Sequence, residues 1–160
     1  QPMTVPGVPN LHRVTPNLYR SAQPTEQGMR ALEGMGIKTV INLRAYHSDD
    51  DELAGTGLTG KHVHVQTWDP TRQEVIRFLR YATDTNRQPV LVHCLHGADR
   101  TGTMCAFYRV AVQGWSKDDA IEEMTSGGYH YHPMFDNLLT FIRDMDIEAL
   151  RRDAGIAGAP

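Results

Sequence analysis

The sequence predicts a single α/β domain with a central, mainly parallel sheet flanked by helices. Three observations carry this. Short apolar, strand-like runs alternate with segments of helical spacing along the chain, the pattern of a sheet covered on both faces. The apolar run Val90–His93 ends in a glycine-containing loop that opens a helix, and open α/β sheets place their sites at such strand ends. The chain has 160 residues, 40% of them hydrophobic and 22% charged, enough for one sizeable core and ordinary for a globular protein.

The elements follow in order. Residues 1–10 hold three prolines and a glycine and read as an irregular arm before a domain spanning 11–153. Leu11–Val14 and Leu18–Arg20 are short strands around a Thr15-Pro16-Asn17 turn. Thr25–Met35 is a helix, with Met29, Leu32 and Met35 at helical spacing and Gly36 to end it. Ile37–Leu43 is a buried strand. Tyr46–Gly60 is polar, and its acidic run Asp49–Glu52 reads as a solvated loop or helix start, with a short helix in its later part. Lys61–Gln66 alternates as a strand, and Trp68-Asp69-Pro70 makes a loop. Thr71 with Glu74 forms a capping box for a helix whose apolar face is Val75, Ile76, Leu79 and Ala82. Val90–His93 is the central strand and Thr101–Gln113 the helix after it. Ser116 caps a helix to about Ser126, residues 127–132 are a loop, and Phe135–Arg152 reads as one final helix. The tail, 154–160, reads as loose.

The chemistry concentrates in His93-Cys94-Leu95-His96-Gly97-Ala98-Asp99-Arg100-Thr101-Gly102. A loop between a strand and a helix N-terminus aims backbone N–H groups and the helix dipole at one anion. Arg100 adds a guanidinium fork that grips two phosphate oxygens. That positive field favours the thiolate of Cys94, whose unperturbed pKa would be about 8.5. Thr101 can donate its hydroxyl to the sulfur or cap the helix. Gly97 lets backbone approach a phosphate closely, and Gly102 lets the loop pack against its helix.

This run resembles the signature H-C-x5-R-[S/T]-G of the cysteine-dependent protein tyrosine phosphatases, matching at His93, Cys94, Gly97, Arg100, Thr101 and Gly102. Asn17–Pro24 and Gly36–Arg44 are similar to the opening of the compact bacterial dual-specificity-like branch, so the resemblance runs from about Asn17 to about Phe141. It implies a tyrosine-phosphatase-like fold and hydrolysis of phosphomonoesters through a phosphocysteine. In that scheme Cys94 attacks phosphorus and Arg100 with the loop amides holds the phosphoryl group. The phosphate-binding loop also includes Leu95, His96, Ala98 and Asp99, and His93 orders it. A general acid is implied on a separate upstream loop. Asp69 is the candidate, flanked by Trp68, and the same aspartate would activate the water that ends the cycle. The larger members carry Trp-Pro-Asp where this chain has Trp-Asp-Pro. Asp99, inside the loop, is the rival proton donor.

The resemblance implies a phosphorylated protein, first of all phosphotyrosyl, as substrate. Small esters such as inositol phosphates come second, prompted by Asp99 and His96, although the loop has no lysine. A non-catalytic phosphate-binding module is the reading from a different class. The resemblance implies no cofactor and no metal, because the loop supplies the positive charge. His62 and His64 share a strand face, but no carboxylate or cysteine spacing accompanies them, and they read as core or surface. Net charge is −3, which speaks against a broad basic surface for nucleic acid. No apolar stretch is long enough for stable membrane insertion. The chain opens at Gln1, as a cleaved secreted chain or a trimmed one would, and related bacterial phosphatases are often exported. The expected location is periplasmic or secreted, with the cytoplasm as the alternative. Two cysteines make no disulfide framework, and Cys105 reads as a buried helix residue.

Overall fold

A computed structural model describes residues 1–156. Five strands form one sheet: β1 (His12–Thr15), β2 (Leu18–Ser21), β3 (Thr39–Arg44), β4 (Thr59–Val65) and β5 (Val90–His93), in the order β1-β2-β5-β3-β4. Only β1 and β2 pair antiparallel; every other pair is parallel. The expected mainly parallel sheet is therefore present, and β5 is its central strand, with His93 level with Ser21 on one side and Asn42 on the other.

Side chains alternate across a strand, and here the alternation sorts two cores. Ile41, Leu43, Val90 and Val92 face the larger one, built with α3 (Arg72–Thr83), α4 (Arg100–Ala111), α5 (Lys117–Ser126), α6 (Asn137–Asp144) and α7 (Ile147–Ala154). Val40 and Leu91 face the smaller one, built with Met29 and Leu32 of α1 (Glu26–Gly34) and with Val8 and Leu11. The inner parallel strands β3 and β5 are thus buried on both faces, which is why they read as continuous apolar runs, whereas the edge strand β4 alternates. No helix among the described residues is long and apolar enough to cross a membrane.

Several elements differ from expectation. The acidic run is a helix start, one of its two expected readings, in α2 (Asp50–Leu53), but Asp49 just before it is buried and not solvated. The expected single final helix is three pieces: a 3-10 turn (Pro133–Phe135), α6 and α7. Met145 is extended (φ −73°, ψ 130°), and the Asp146 side chain accepts from Ala149 N to start α7 afresh. The apolar stripe crosses the break because both helices lean on the same core. Of the expected loose tail, Ala154 is the buried last residue of α7. Gly155 (φ 73°) then closes the helix, with Gly155 N–H donating to Arg152 O and Ile156 N–H to Arg151 O, a Schellman motif. Residues 157–160 lie outside the described ones. The arm at 1–10 has little regular structure, yet it bridges to β1 through Pro2 and His12 and buries Val8.

Candidate active site

β5 ends at His93, residues 94–99 form the loop, and α4 starts at Arg100. Three successive loop carbonyls are tied down from outside. Leu95 O accepts from Gln23 N (3.1 Å), His96 O from Asn10 Nδ2 (3.1 Å), and Gly97 O from Arg20 Nη2 (3.0 Å). A trans peptide sets each C=O opposite the N–H that follows it. With the carbonyls held outward, the N–H groups of His96, Gly97 and Ala98 turn inward, around Cys94. The loop is a built anion cradle, and its amides need no rearrangement to meet a phosphate.

Two features lock this shape. Gly97 has φ 73°, and a Cβ there would lie 2.4–2.6 Å from the backbone of Ser21 and Ala22. Only glycine satisfies both demands. Arg20 is buried and stacks 3.7 Å over the Tyr129 ring, so the donor to Gly97 O is itself fixed. Asn10 spans further, donating also to Tyr129 O (3.1 Å). Gly102 packs closely, but against Met124 of α5, whose Cγ would be 3.1 Å from an added Cβ, and near Arg20; the close approach is not to the loop.

Cys94 is 1% exposed at the base of the cradle. His93 beneath it is fully buried: Nδ1 lies 3.1 Å from Cys94 O and Nε2 lies 2.5 Å from Asp49 Oδ2. Asp49 also accepts from Gln23 Nε2 at 2.9 Å. Burial pushes the Asp49 carboxyl up, but the His93 bond and charge and the Gln23 amide outweigh it and hold it below the ordinary carboxylate range. The expected ordering role of His93 thus has a physical route, through a buried carboxylate that a reading of the acidic run as solvated had missed. Thr101 Oγ1 is buried at the head of α4 without a hydrogen-bond partner among the described residues, a donor available to a sulfur or a bound oxyanion. Cys105, one turn further along α4, is buried, and burial pushes its thiol up, as suits an inert core cysteine.

Arg100 is half-buried and gives Nη1 to Val65 O at the end of β4 (3.2 Å). Among the described residues no carboxylate pairs with it. Asp99 is buried and occupied: Oδ1 accepts from His132 N (2.9 Å) and Oδ2 lies 2.6 Å from His132 Nδ1. Both of its oxygens are thus engaged by His132.

Two adjoining cavities open above the cradle. The inner, about 280 Å³, is bordered by Cys94, His96, Asp99, Arg100, His132 and Phe135 among others. The wider, about 450 Å³, is bordered by Arg44, Tyr46, His47, Gln66, Trp68 and Phe135, and shares Thr67, Leu95 and Arg100 with the first. Leu95 and His96 are exposed on the rim, and Gly97 and Ala98 are buried. Trp68 is 62% exposed, its ring 4.7 Å from that of Phe135. Asp69 is exposed and borders neither cavity, although its loop is pinned where Asn137 Nδ2 donates to Thr67 O (3.0 Å).

His62 and His64 do stack, at 3.7 Å, but His62 Nε2 meets Arg44 O and His64 Nδ1 meets Ala45 O, ties between β4 and the end of β3. One three-residue set with metal-ligand types, His47, Asp49 and Glu52, has its ligand atoms within 4.8 Å of one another; Asp49 there is already bound by His93. Sequence reasoning missed Asn10, Arg20, Arg44 and Asp49 as parts of the site. Their types carry no signal without the fold that gathers them.

A model of the family described as DSP-PTPase phosphatase fused to NAD+ kinase matches residues 9–134. Among curated relatives, the dual specificity protein phosphatase TpbA of Pseudomonas aeruginosa (strain UCBPP-PA14) is 37% identical over 147 residues. That match covers 89% of this chain and 65% of TpbA, so the chain spans slightly less than two thirds of that relative's length. The inositol diphosphatase DSP5 of Arabidopsis thaliana is 28% identical over 158 residues, covering 90% of this chain and 73% of DSP5. The crystal structure of P. aeruginosa TpbA in complex with pTyr superposes with a TM-score of 0.82 at 33% identity, covering 92% of this chain and 91% of that one. The chain belongs to the DSP-PTPase family of phosphatases.

Proposed function

We propose that this chain hydrolyses phosphomonoesters through a phosphocysteine, with phosphorylated protein, phosphotyrosyl first, as its substrate. One observation carries the reading: three outward-tied carbonyls turn the loop amides around Cys94, above the N-terminus of a twelve-residue helix that begins with Arg100. The phosphoryl oxygens sit on those amides and on the Arg100 fork. The Cys94 thiolate bonds phosphorus in line with the ester oxygen, the P–O bond breaks, and a proton goes to the departing oxygen. The charge on the equatorial oxygens meets fixed donors, which is electrostatic preorganisation. Thr101 Oγ1 is the donor to the sulfur when it leaves again.

Asp69 is the proposed donor to the leaving oxygen. It stands on the loop beside Trp68, whose ring with those of Phe135 and Tyr46 gives the wider cavity flat apolar walls suited to a tyrosyl ring. TpbA, a dual specificity phosphatase by name and solved with pTyr, supports the same substrate class. Inositol phosphates are the second reading. They are favoured by Arg44 and His47 beside the cradle and by the likeness to an inositol diphosphatase, and opposed by a loop without lysine. An exported location belongs to this proposal and rests on the resemblance to exported bacterial phosphatases.

The test is phosphate release by wild-type protein and Cys94→Ser, without added metal, on a phosphotyrosyl peptide, a phosphoseryl peptide and inositol hexakisphosphate. Release from the tyrosyl peptide that disappears in Cys94→Ser is the expected result. Preference for the inositol ligand would transfer the name to the second reading. Phosphate binding with no release from any of the three would leave a binding module.

A further inference from the structure

The inner cavity holds one titratable pair that the scheme above does not use. His132 comes from the loop between α5 and the 3-10 turn. Its backbone N–H and its Nδ1 both address the carboxylate of Asp99, at 2.9 and 2.6 Å. A carboxylate only accepts, so this bond puts hydrogen on Nδ1 and leaves Nε2 of the neutral ring with a free lone pair. A carboxylate sets the tautomer of the catalytic histidine in serine hydrolases in the same way.

The holder is rigid. Asp99 is 6% exposed, and its own carbonyl accepts from Thr103 N and Thr103 Oγ1 at the head of α4. The ring is accessible, with 42% of the His132 side chain exposed, so water reaches Nε2. His132 borders the cavity that contains Cys94 and Arg100, so its ring faces the space above the sulfur. The charged or titratable groups that face it are Asp99, Arg100, Cys94 and His96, whose ring centroid is 5.2 Å away.

We propose that His132, oriented by Asp99, is the base for hydrolysis of the phosphocysteine, in place of Asp69. The inference rests on the phosphocysteine reading above. In this step a water oxygen bonds phosphorus while the P–Sγ bond breaks. The bond's electron pair returns to Cys94 as thiolate. The water's proton passes to His132 Nε2, and the imidazolium gives it up to solvent. The products are inorganic phosphate and the thiolate that begins the next cycle. Asp69 serves the first step and His132 the second.

The experiment is rapid-quench kinetics of wild type, His132→Gln, Asp99→Asn and Cys94→Ser on p-nitrophenyl phosphate. The expected result for His132→Gln is a burst of one p-nitrophenolate per active site at the wild-type rate. A steady-state rate about 100-fold lower follows, the lower end of what a general base contributes. The phosphorylated enzyme then accumulates and is seen by mass spectrometry. Asp99→Asn should show the same split, smaller in size. Burst and steady state falling together, or a steady-state rate equal to wild type, would overturn the assignment. A burst persisting in Cys94→Ser would overturn the phosphocysteine reading itself, and this inference with it.

Discussion

The two walls of the cleft are built differently. The cradle wall is a strand end, a six-residue loop and a helix start, buried at Cys94, Gly97 and Ala98 and held by three donors from the N-terminal arm and the end of β2. The facing wall, residues 66–70, carries Trp68 and Asp69 in the open and is pinned at Thr67. On the proposed reading, the groups that would meet a phosphate dianion are fixed before it arrives, and the proposed donor to the leaving oxygen is on the less constrained wall. Rigidity is then concentrated where the charge would be the same for every phosphate ester.

This contrast can be broken or sharpened by substitution. The largest effect is expected at the cradle: Gly97→Ala should lower both stability and activity. The new Cβ meets backbone at 2.4 Å in a positive-φ position, and strain plus overpacking should amount to about 3 kcal/mol. A thermal melt and an aryl phosphate assay on the same preparation check it; a wild-type melting temperature would refute the rigid-wall description.

On the facing wall, Asp69→Asn should leave the melting temperature alone. It should lower the rate on phosphotyrosyl peptide by about 100-fold and affect p-nitrophenyl phosphate far less, since a good leaving group needs no proton. Equal losses on the two substrates would remove Asp69 from the acid role.

A smaller effect is expected beneath the cradle. The Asp49 pKa is lower in the folded protein than its ordinary 3.8. Its contribution to stability is therefore complete above that ordinary range and lost as pH falls through the depressed folded value. Asp49→Asn should melt earlier than wild type near neutral pH, by roughly 1–3 kcal/mol for a buried charge-assisted bond. The gap should close as the buffer is taken to strongly acid pH. A gap constant with pH would mean that shape and not charge matters at this position.

What was legible in the sequence was what lies close together in it. The cradle occupies ten consecutive residues, its strand and helix adjoin it, and a mainly parallel sheet could be argued from the alternation of strands and helices, though not its strand order. The ties to the cradle were not legible, because they arrive from far away: Arg20 is 77 residues from Gly97, Asn10 is 86 from His96, and Asp49 is 44 from His93. A neutral polar arm and an acidic run gave no reason to place them there. The break at Met145 was missed for another reason. Apolar spacing continues across it, since α6 and α7 share one core, and only Asp146, three residues before the amide it caps, marked a new start.

Arg151 of α7 is buried and donates Nε to Ala111 O and Nη2 to Val110 O, the last carbonyls of α4. Asn10, from the opposite end of the chain, donates to the cradle at the other end of that helix. A chain emerging from the ribosome thus supplies the first clamp before the nucleophile is made and the second some forty residues after Ala111. Until then the last carbonyls of the helix that presents Arg100 lack the Arg151 donors. Completion of the cradle's support thus waits on α7, and trimming α7 or residues 1–10 would reach the cradle without removing any residue of the loop itself.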